Sequence, residues 1–209
     1  MLFLVSGASA SGKTTLIRRL VGTDSTLEVH DTDEWLIEDA GMRCAQLEEW
    51  IRLALVRQSE GVDFLLGANS PLGELLACPS AIRLNGICAC LLDNRDRDRI
   101  ERMRARGVDP KWPPNQHHLN WAAWHRMHAW DPGWEQHVIN RNGPSEHNYA
   151  CWASWQPGDS RWRVPVFDTT LHDATQTVEL VRAWIAEERG RPESENKLRP
   201  SARWWEERI

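Results

Sequence analysis

Short all-apolar runs and stretches with helical spacing take turns along this chain. Leu2 to Ser6 is an apolar run ending at a glycine-rich turn, and Lys13 to Val21 then has helical character up to a stop at Gly22. Leu27 to His30 predicts a second strand that runs into Asp31-Thr32-Asp33. Glu34 to Glu60 carries helical spacing broken near Gly41, and its later part, Arg43 to Gln58, places Leu47, Trp50, Ile51, Ala54 and Leu55 on one face. Val62 to Leu66 and Ile87 to Leu92 predict two further buried strands, with Ser70-Pro71 between them as a helix cap and first helical residue. Arg95 to Arg106 reads as a strongly basic helix. Val164 to Phe167 predicts the last strand, and Ala174 to Glu188 an amphipathic helix stopped by Gly190 and Pro192.

Strands alternating with helices imply an α/β fold in which a five-stranded parallel sheet is wrapped on both faces and binds ligands at the carboxyl ends of its strands. The 7–14 loop, Asp31, Asp33, Gly67, Asp93 and Asp168 all fall at such ends, which places them near one crevice. Residues 107–163 interrupt the alternation with Trp, His, Pro and Asn, and the stretch is too long for a plain loop. The pattern therefore predicts a core of 1–106 and 164–190, an insertion or lid over 107–163, and a charged tail over 191–209.

Composition narrows this to one domain. The 209 residues suffice for one α/β core, and with 41% hydrophobic and 26% charged residues and no bilayer-length apolar run they predict a soluble, cytoplasmic protein. The opening MLFLVSGAS is too short for a signal peptide and lacks its basic flank. A net charge of −5 counts against a broad nucleic-acid surface. The five cysteines form no CxxC pair and read as reduced, buried thiols, with Cys88 and Cys90 on one strand face.

Eight of the thirteen tryptophans, Trp112, Trp121, Trp124, Trp130, Trp134, Trp152, Trp155 and Trp162, lie in one segment. From Asn120, Trp121, Trp124 and His128 recur at helical spacing, as an aromatic face suited to a lid, to a small separate core or to stacking a planar molecule. His117, His118, His125, His128, His137, His147 and Cys151 share the region without a familiar zinc spacing.

Gly7-Ala8-Ser9-Ala10-Ser11-Gly12-Lys13-Thr14 fits G-x-x-x-x-G-K-[ST] at every fixed position, between a strand and a helix. In such a loop the glycines let backbone N–H groups and a helix N-terminus face a phosphate. Lys13 would bridge the β- and γ-phosphates, and Thr14 would offer its hydroxyl to magnesium. The motif predicts ATP and Mg²⁺ as ligands, with Gly7, Ser9, Ala10, Ser11, Gly12, Lys13, Thr14 and Thr15 around the phosphates.

Over residues 1–106 and 164–190 the chain resembles the nucleoside-monophosphate-kinase-like group of P-loop kinases, which includes adenylate, shikimate and gluconate kinases. Asp31-Thr32-Asp33 is similar to the Asp-x-Asp of shikimate kinases. The resemblance implies that one carboxylate serves magnesium and the other the acceptor hydroxyl, with Asp33 favoured as base and Asp31 as the water-mediated metal contact; either could instead cap a helix. Arg102-Met103-Arg104-Ala105-Arg106 resembles the start of the adenylate-kinase lid. Spacing of four puts Arg102 and Arg106 on one face, suited to ATP phosphates, while Arg95, Arg97 and Arg104 read as a solvated face paired with Asp96, Asp98 and Glu101. Asp168-Thr169-Thr170 is similar to the segment bordering adenine.

The resemblance implies a three-layer P-loop fold with a Trp-rich helical lid, and a kinase that moves the γ-phosphoryl group of ATP to a small hydroxylated or phosphorylated acceptor. Gly67-Ala68-Asn69-Ser70 stands where shikimate kinases have a glycine triplet, so the acceptor does not carry over. Asp63 lies at the wrong end of its strand for a mechanical ATPase. An ATP-ordered regulatory module with weak hydrolysis and a kinase of nucleic-acid 5′-hydroxyls are the alternatives.

Overall fold

Five parallel strands form one sheet in the computed structural model, which describes residues 1–35, 40–107, 113–141 and 143–206. The strands β1 (Leu2–Ser6), β2 (Leu27–Asp31), β3 (Asp63–Ala68), β4 (Ile87–Asp93) and β5 (Val166–Asp168) lie in the order β2-β3-β1-β4-β5. β1 is central and every one of its residues is buried, which its unbroken apolar run requires of a strand covered on both faces. Seven α-helices accompany the sheet among the described residues: α1 (Lys13–Leu20), α2 (Ala40–Ser59), α3 (Leu72–Ala77), α4 (Asp96–Ala105), α5 (Gln116–Trp130), α6 (His137–Asn140) and α7 (Ala174–Gly190).

Alternate residues of the strands feed two apolar layers. Phe3, Val5, Leu65, Cys88, Cys90 and Leu92 pack with Leu16 and Ile17 of α1 and Val178, Val181 and Trp184 of α7. Leu2, Leu4, Phe64, Leu66, Ile87 and Ala89 pack on the other side with Leu47, Trp50, Ile51 and Ala54 of α2. Trp124, Trp152, Trp155 and Trp162 join this second cluster, as do Leu198 and Trp204 near the carboxyl end. Four of the insertion's tryptophans are thus part of the sheet's own core, while Trp130 and Trp134 are exposed. Three of the four donate their indole N–H to backbone: Trp152 to Gly73 O at 2.9 Å, Trp162 to His128 O at 3.0 Å and Trp124 to Glu135 O at 3.2 Å.

The elements differ from the sequence pattern where partners override it. β3 extends to Ala68 because Gly67 pairs with Asp31 of β2 and Ala68 with Ser6 of β1. β5 begins at Val166, two residues after the apolar run starts, and Pro165 just before it has no N–H to give a ladder. Ser70 does not cap α3. It is buried, its carbonyl accepts from Ser6 Oγ at 2.9 Å, and the extended residue ahead of the helix is Pro71. α2 runs through Gly41 from Ala40, preceded by a 3-10 turn at Thr32–Glu34. Trp112 lies outside the described residues. No described helix is long and apolar enough to cross a membrane.

Candidate active site

Two glycines and one strained alanine shape the loop between β1 and α1. A Cβ on Gly7 would stand 2.6 Å from both the Leu92 carbonyl oxygen and Ser11 Oγ, so a side chain has no room. Gly12 sits at φ 103° and Ala10 at φ 62°, both in the left-handed region, where a Cβ costs about 1–2 kcal/mol. Such strain collects at ligand sites. Three loop carbonyls are tied to the protein: Ser9 O accepts from Arg99 Nη1 at 2.5 Å, Ala10 O from Asn94 Nδ2 at 3.4 Å, and Ser11 O from Thr169 Oγ1 at 3.0 Å. With its acceptors engaged, the loop keeps the N-terminal end of α1 as its positive edge.

Lys13 folds back on this loop, donating Nζ to the carbonyls of Gly7 and Ala8. Burial lowers its pKa to about 8; Asp31 and Asp33 pull it upward, and Arg99 and Arg106 push it down. Next to it, Thr14 Oγ1 donates to Asp31 Oδ2 at 2.9 Å. Asp31 is buried at the end of β2, and its other oxygen accepts from the Asp33 N–H at 3.1 Å, capping the 3-10 turn. Each Asp31 oxygen therefore accepts one hydrogen bond. Asp33, on the same turn, is exposed. Desolvation first, then Asp31, raise its pKa, while Lys13 and Arg106 hold it back.

The basic helix α4 divides into two faces. Arg97 and Arg104 are exposed, with Arg97 Nε 2.8 Å from Glu101, and the Arg95 side chain is exposed at the helix start. Asp96 instead faces Arg126 of α5 at 3.4 Å. Arg102 donates to Thr169 Oγ1 at 2.9 Å and to Thr169 O at 2.6 Å, which holds its guanidinium against the turn after β5. Arg106 is exposed at the end of α4, and its charge is felt by both Lys13 and Asp33. Arg102 and Arg106 share a pocket of about 330 Å³ with Ala10, Gly12, Thr15 and His172.

Asp168 does not line that pocket. Its Oδ1 accepts from the Thr170 N–H at 2.7 Å, and it is Thr169, His172 and Asp173 that face the cavity. Sequence reading also missed Arg99. This side chain is fully buried, with Nη2 2.6 Å from Asp93 Oδ1 and Nη1 on Ser9 O, and Arg126 reaches the other Asp93 oxygen at 3.1 Å. The signal was present: Arg99 lies three residues before Arg102 and seven before Arg106, on the same helical stripe.

No protein-family model and no curated protein matches the sequence. Solved structures do match. The fold is shared with a sugar kinase. That protein, from a Janibacter species, is 16% identical, with a TM-score of 0.53 over 88% of this chain and 94% of its own. A candidate kinase of Chloroflexus aurantiacus, also 16% identical, aligns over 89% of this chain and 96% of its own with a TM-score of 0.47. At such identity the likeness is one of fold alone.

On the opposite side of the crevice, Asn69 Oδ1 accepts from Trp121 Nε1 at 2.9 Å, and Trp121 stacks on Trp124 with centroids 5.1 Å apart. His125 Nδ1 is 3.4 Å from Ser6 Oγ, at the last residue before the phosphate loop. His128 is buried between Trp124, Trp152 and Trp162. His117, His118 and His137 are on the surface, and His147 Nε2 meets Cys78 Sγ at 3.3 Å. Among the described residues no group of three or more His, Cys, Asp or Glu is arranged to hold a metal. A magnesium ion here would take most of its ligands from phosphate and water, as is usual for nucleotide sites, with the Thr14 hydroxyl and the Asp31 carboxylate as the hard oxygens beside it.

Proposed function

We propose that this chain is an ATP- and Mg²⁺-dependent phosphotransferase that moves the γ-phosphoryl group to a hydroxyl or phosphate of a small molecule, such as a nucleoside, nucleotide or natural product. The observation that carries this reading is the loop at the end of β1, where Gly7 has no room for a side chain, Lys13 Nζ lies over the Gly7 and Ala8 carbonyls, and Thr14 Oγ1 meets Asp31 at 2.9 Å. Asp33, exposed two residues beyond Asp31, has its pKa raised by desolvation and by Asp31, and feels the charges of Lys13 and Arg106. A base needs a free carboxylate of somewhat raised proton affinity close to the transferring group.

The remaining roles follow from the same geometry. The loop from Gly7 to Thr14 and the start of α1 would cradle the phosphates, with Ser9, Ala10, Ser11 and Thr15 at its rim. Lys13 would leave the Gly7 and Ala8 carbonyls for the β- and γ-phosphates, which restores the full charge that burial works against. Magnesium would polarise the γ-phosphoryl group from beside Thr14 and Asp31. Arg106 would neutralise charge growing on that group, and Arg102, fixed by Thr169, would cover the nucleobase. Asp33 would take the acceptor's proton as its oxygen attacks. The fold shared with a sugar kinase supports a kinase at this coarse level. The acidic net charge favours a small acceptor over nucleic acid.

An ATP-consumption screen over hydroxylated metabolites, nucleosides and antibiotics tests the reading. In the responding reaction Asp33→Asn lowers turnover roughly 100-fold or more, with ATP affinity changed less than about threefold. Lys13→Ala abolishes transfer and leaves the fold intact. Slow hydrolysis that no acceptor accelerates, and that Asp33→Asn leaves unchanged, would refute it.

A further inference from the structure

The 330 Å³ pocket beside Gly12 carries information about which nucleobase it takes. His172 lines it, and His172 Nδ1 lies 2.9 Å from the carbonyl oxygen of Asp168. A carbonyl only accepts, so Nδ1 carries the hydrogen. With Nδ1 donating, Nε2 is the ring atom left to accept.

Several other polar groups around the pocket are already engaged, while Arg106 and the second carboxylate oxygen of Asp173 also line it. Arg102 is bound to Thr169, and Thr169 Oγ1 is bonded to Ser11 O and Asp93 O. Thr177 Oγ1 donates to Asp173 O at 2.8 Å. Asp173 Oδ1 accepts from the Thr175 and Gln176 N–H groups at the start of α7. The hydroxyl of Thr15 can donate or accept and so does not discriminate between bases.

We propose that His172 is the residue that selects the nucleobase, admitting adenine over guanine because Nε2 accepts a hydrogen bond from the 6-amino group. Guanine presents a keto oxygen at that position and would set lone pair against lone pair. This rests on the reading of the pocket as the nucleobase site of a phosphotransferase. Arg102, bonded to Thr169 through Nη1 and Nη2, lines the pocket as a guanidinium on which a base could stack.

The test is equilibrium binding of Mg²⁺ complexes of non-hydrolysable ATP and GTP analogues and of purine riboside triphosphate, which lacks the 6-amino group, to the full chain and to His172→Ala. The unsubstituted chain is expected to bind the ATP analogue roughly tenfold more tightly than either of the others. His172→Ala brings all three within about threefold, chiefly by weakening the ATP analogue. A loosened 168–172 turn would weaken all three together and leave their ratios standing, which separates selection from a merely structural role. If the unsubstituted chain prefers GTP, or His172→Ala keeps the preference for the ATP analogue over purine riboside triphosphate, the inference is overturned and the phosphotransferase reading survives. If no nucleotide binds at all, the phosphotransferase reading itself fails.

Discussion

Replacing Arg99 by methionine probes one of the three side chains that tie the 7–14 loop to the body of the protein, and the fully buried charged one. Arg99 is fully buried and donates to Ser9 O, Asp93 Oδ1 and Asn94 O. Removing one partner of a buried ion pair costs about 3–5 kcal/mol. Arg126 still reaches Asp93 at 3.1 Å, so the carboxylate is not stranded and the low end, about 3 kcal/mol, applies. For a chain of this size that lowers Tm by about 6–12 °C. Lysine does not rescue, because one ammonium cannot span the Ser9 carbonyl and the Asp93 carboxylate as the guanidinium fork does. Pairing Arg99→Met with Asp93→Leu removes both charges, so the double variant should be more stable than the sum of the two losses by about 1–3 kcal/mol. Thermal melts followed by circular dichroism read all four proteins, and ATP binding to Arg99→Met should weaken as Ser9 loses its anchor. An Arg99→Met melt within about 2 °C of the unsubstituted protein, or strict additivity in the double variant, would refute the reasoning.

Two pH experiments follow from the same electrostatics. The free protein holds Lys13 near pKa 8, and bound phosphates would raise it, so ATP binding takes up a proton above that pH and affinity falls as pH rises through about 8. Calorimetry at about pH 9, where phosphate groups have finished titrating, should show close to one proton taken up from buffers of different ionisation enthalpy, and none for Lys13→Met. His128 is buried with its pKa lowered to about 3 from 6.5, so the stability it permits is complete above 6.5 and is lost as pH falls toward 3. That loss reaches about 3 kcal/mol by about pH 4. Denaturant melts across this range should show a shallower pH dependence in His128→Leu, and an unchanged slope would count against the buried neutral imidazole.

The sequence by itself determined the five strands, the phosphate loop and the carboxylates at the strand ends, because each is encoded locally. A five-residue apolar run such as LFLVS that ends at a glycine-rich turn reads as a strand covered on both faces, and the Gly7 and Gly12 positions follow from backbone sterics. It could not determine which charges are buried. Arg97 and Arg99 are two residues apart in one helix, yet one is solvated against Glu101 and the other is fully enclosed against Asp93 and Ser9 O. Only the packing of α4 over the loop decides between them. The same holds for the tryptophans, where helical spacing was compatible with a lid, a separate core or a stacking surface. The tertiary structure places four of them in the sheet's own apolar cluster, because an aromatic face is buried by whatever lies opposite it and a spacing does not name that partner. It likewise turned Asp168 onto its own turn and put His172 at the pocket, a choice made by the direction of one loop.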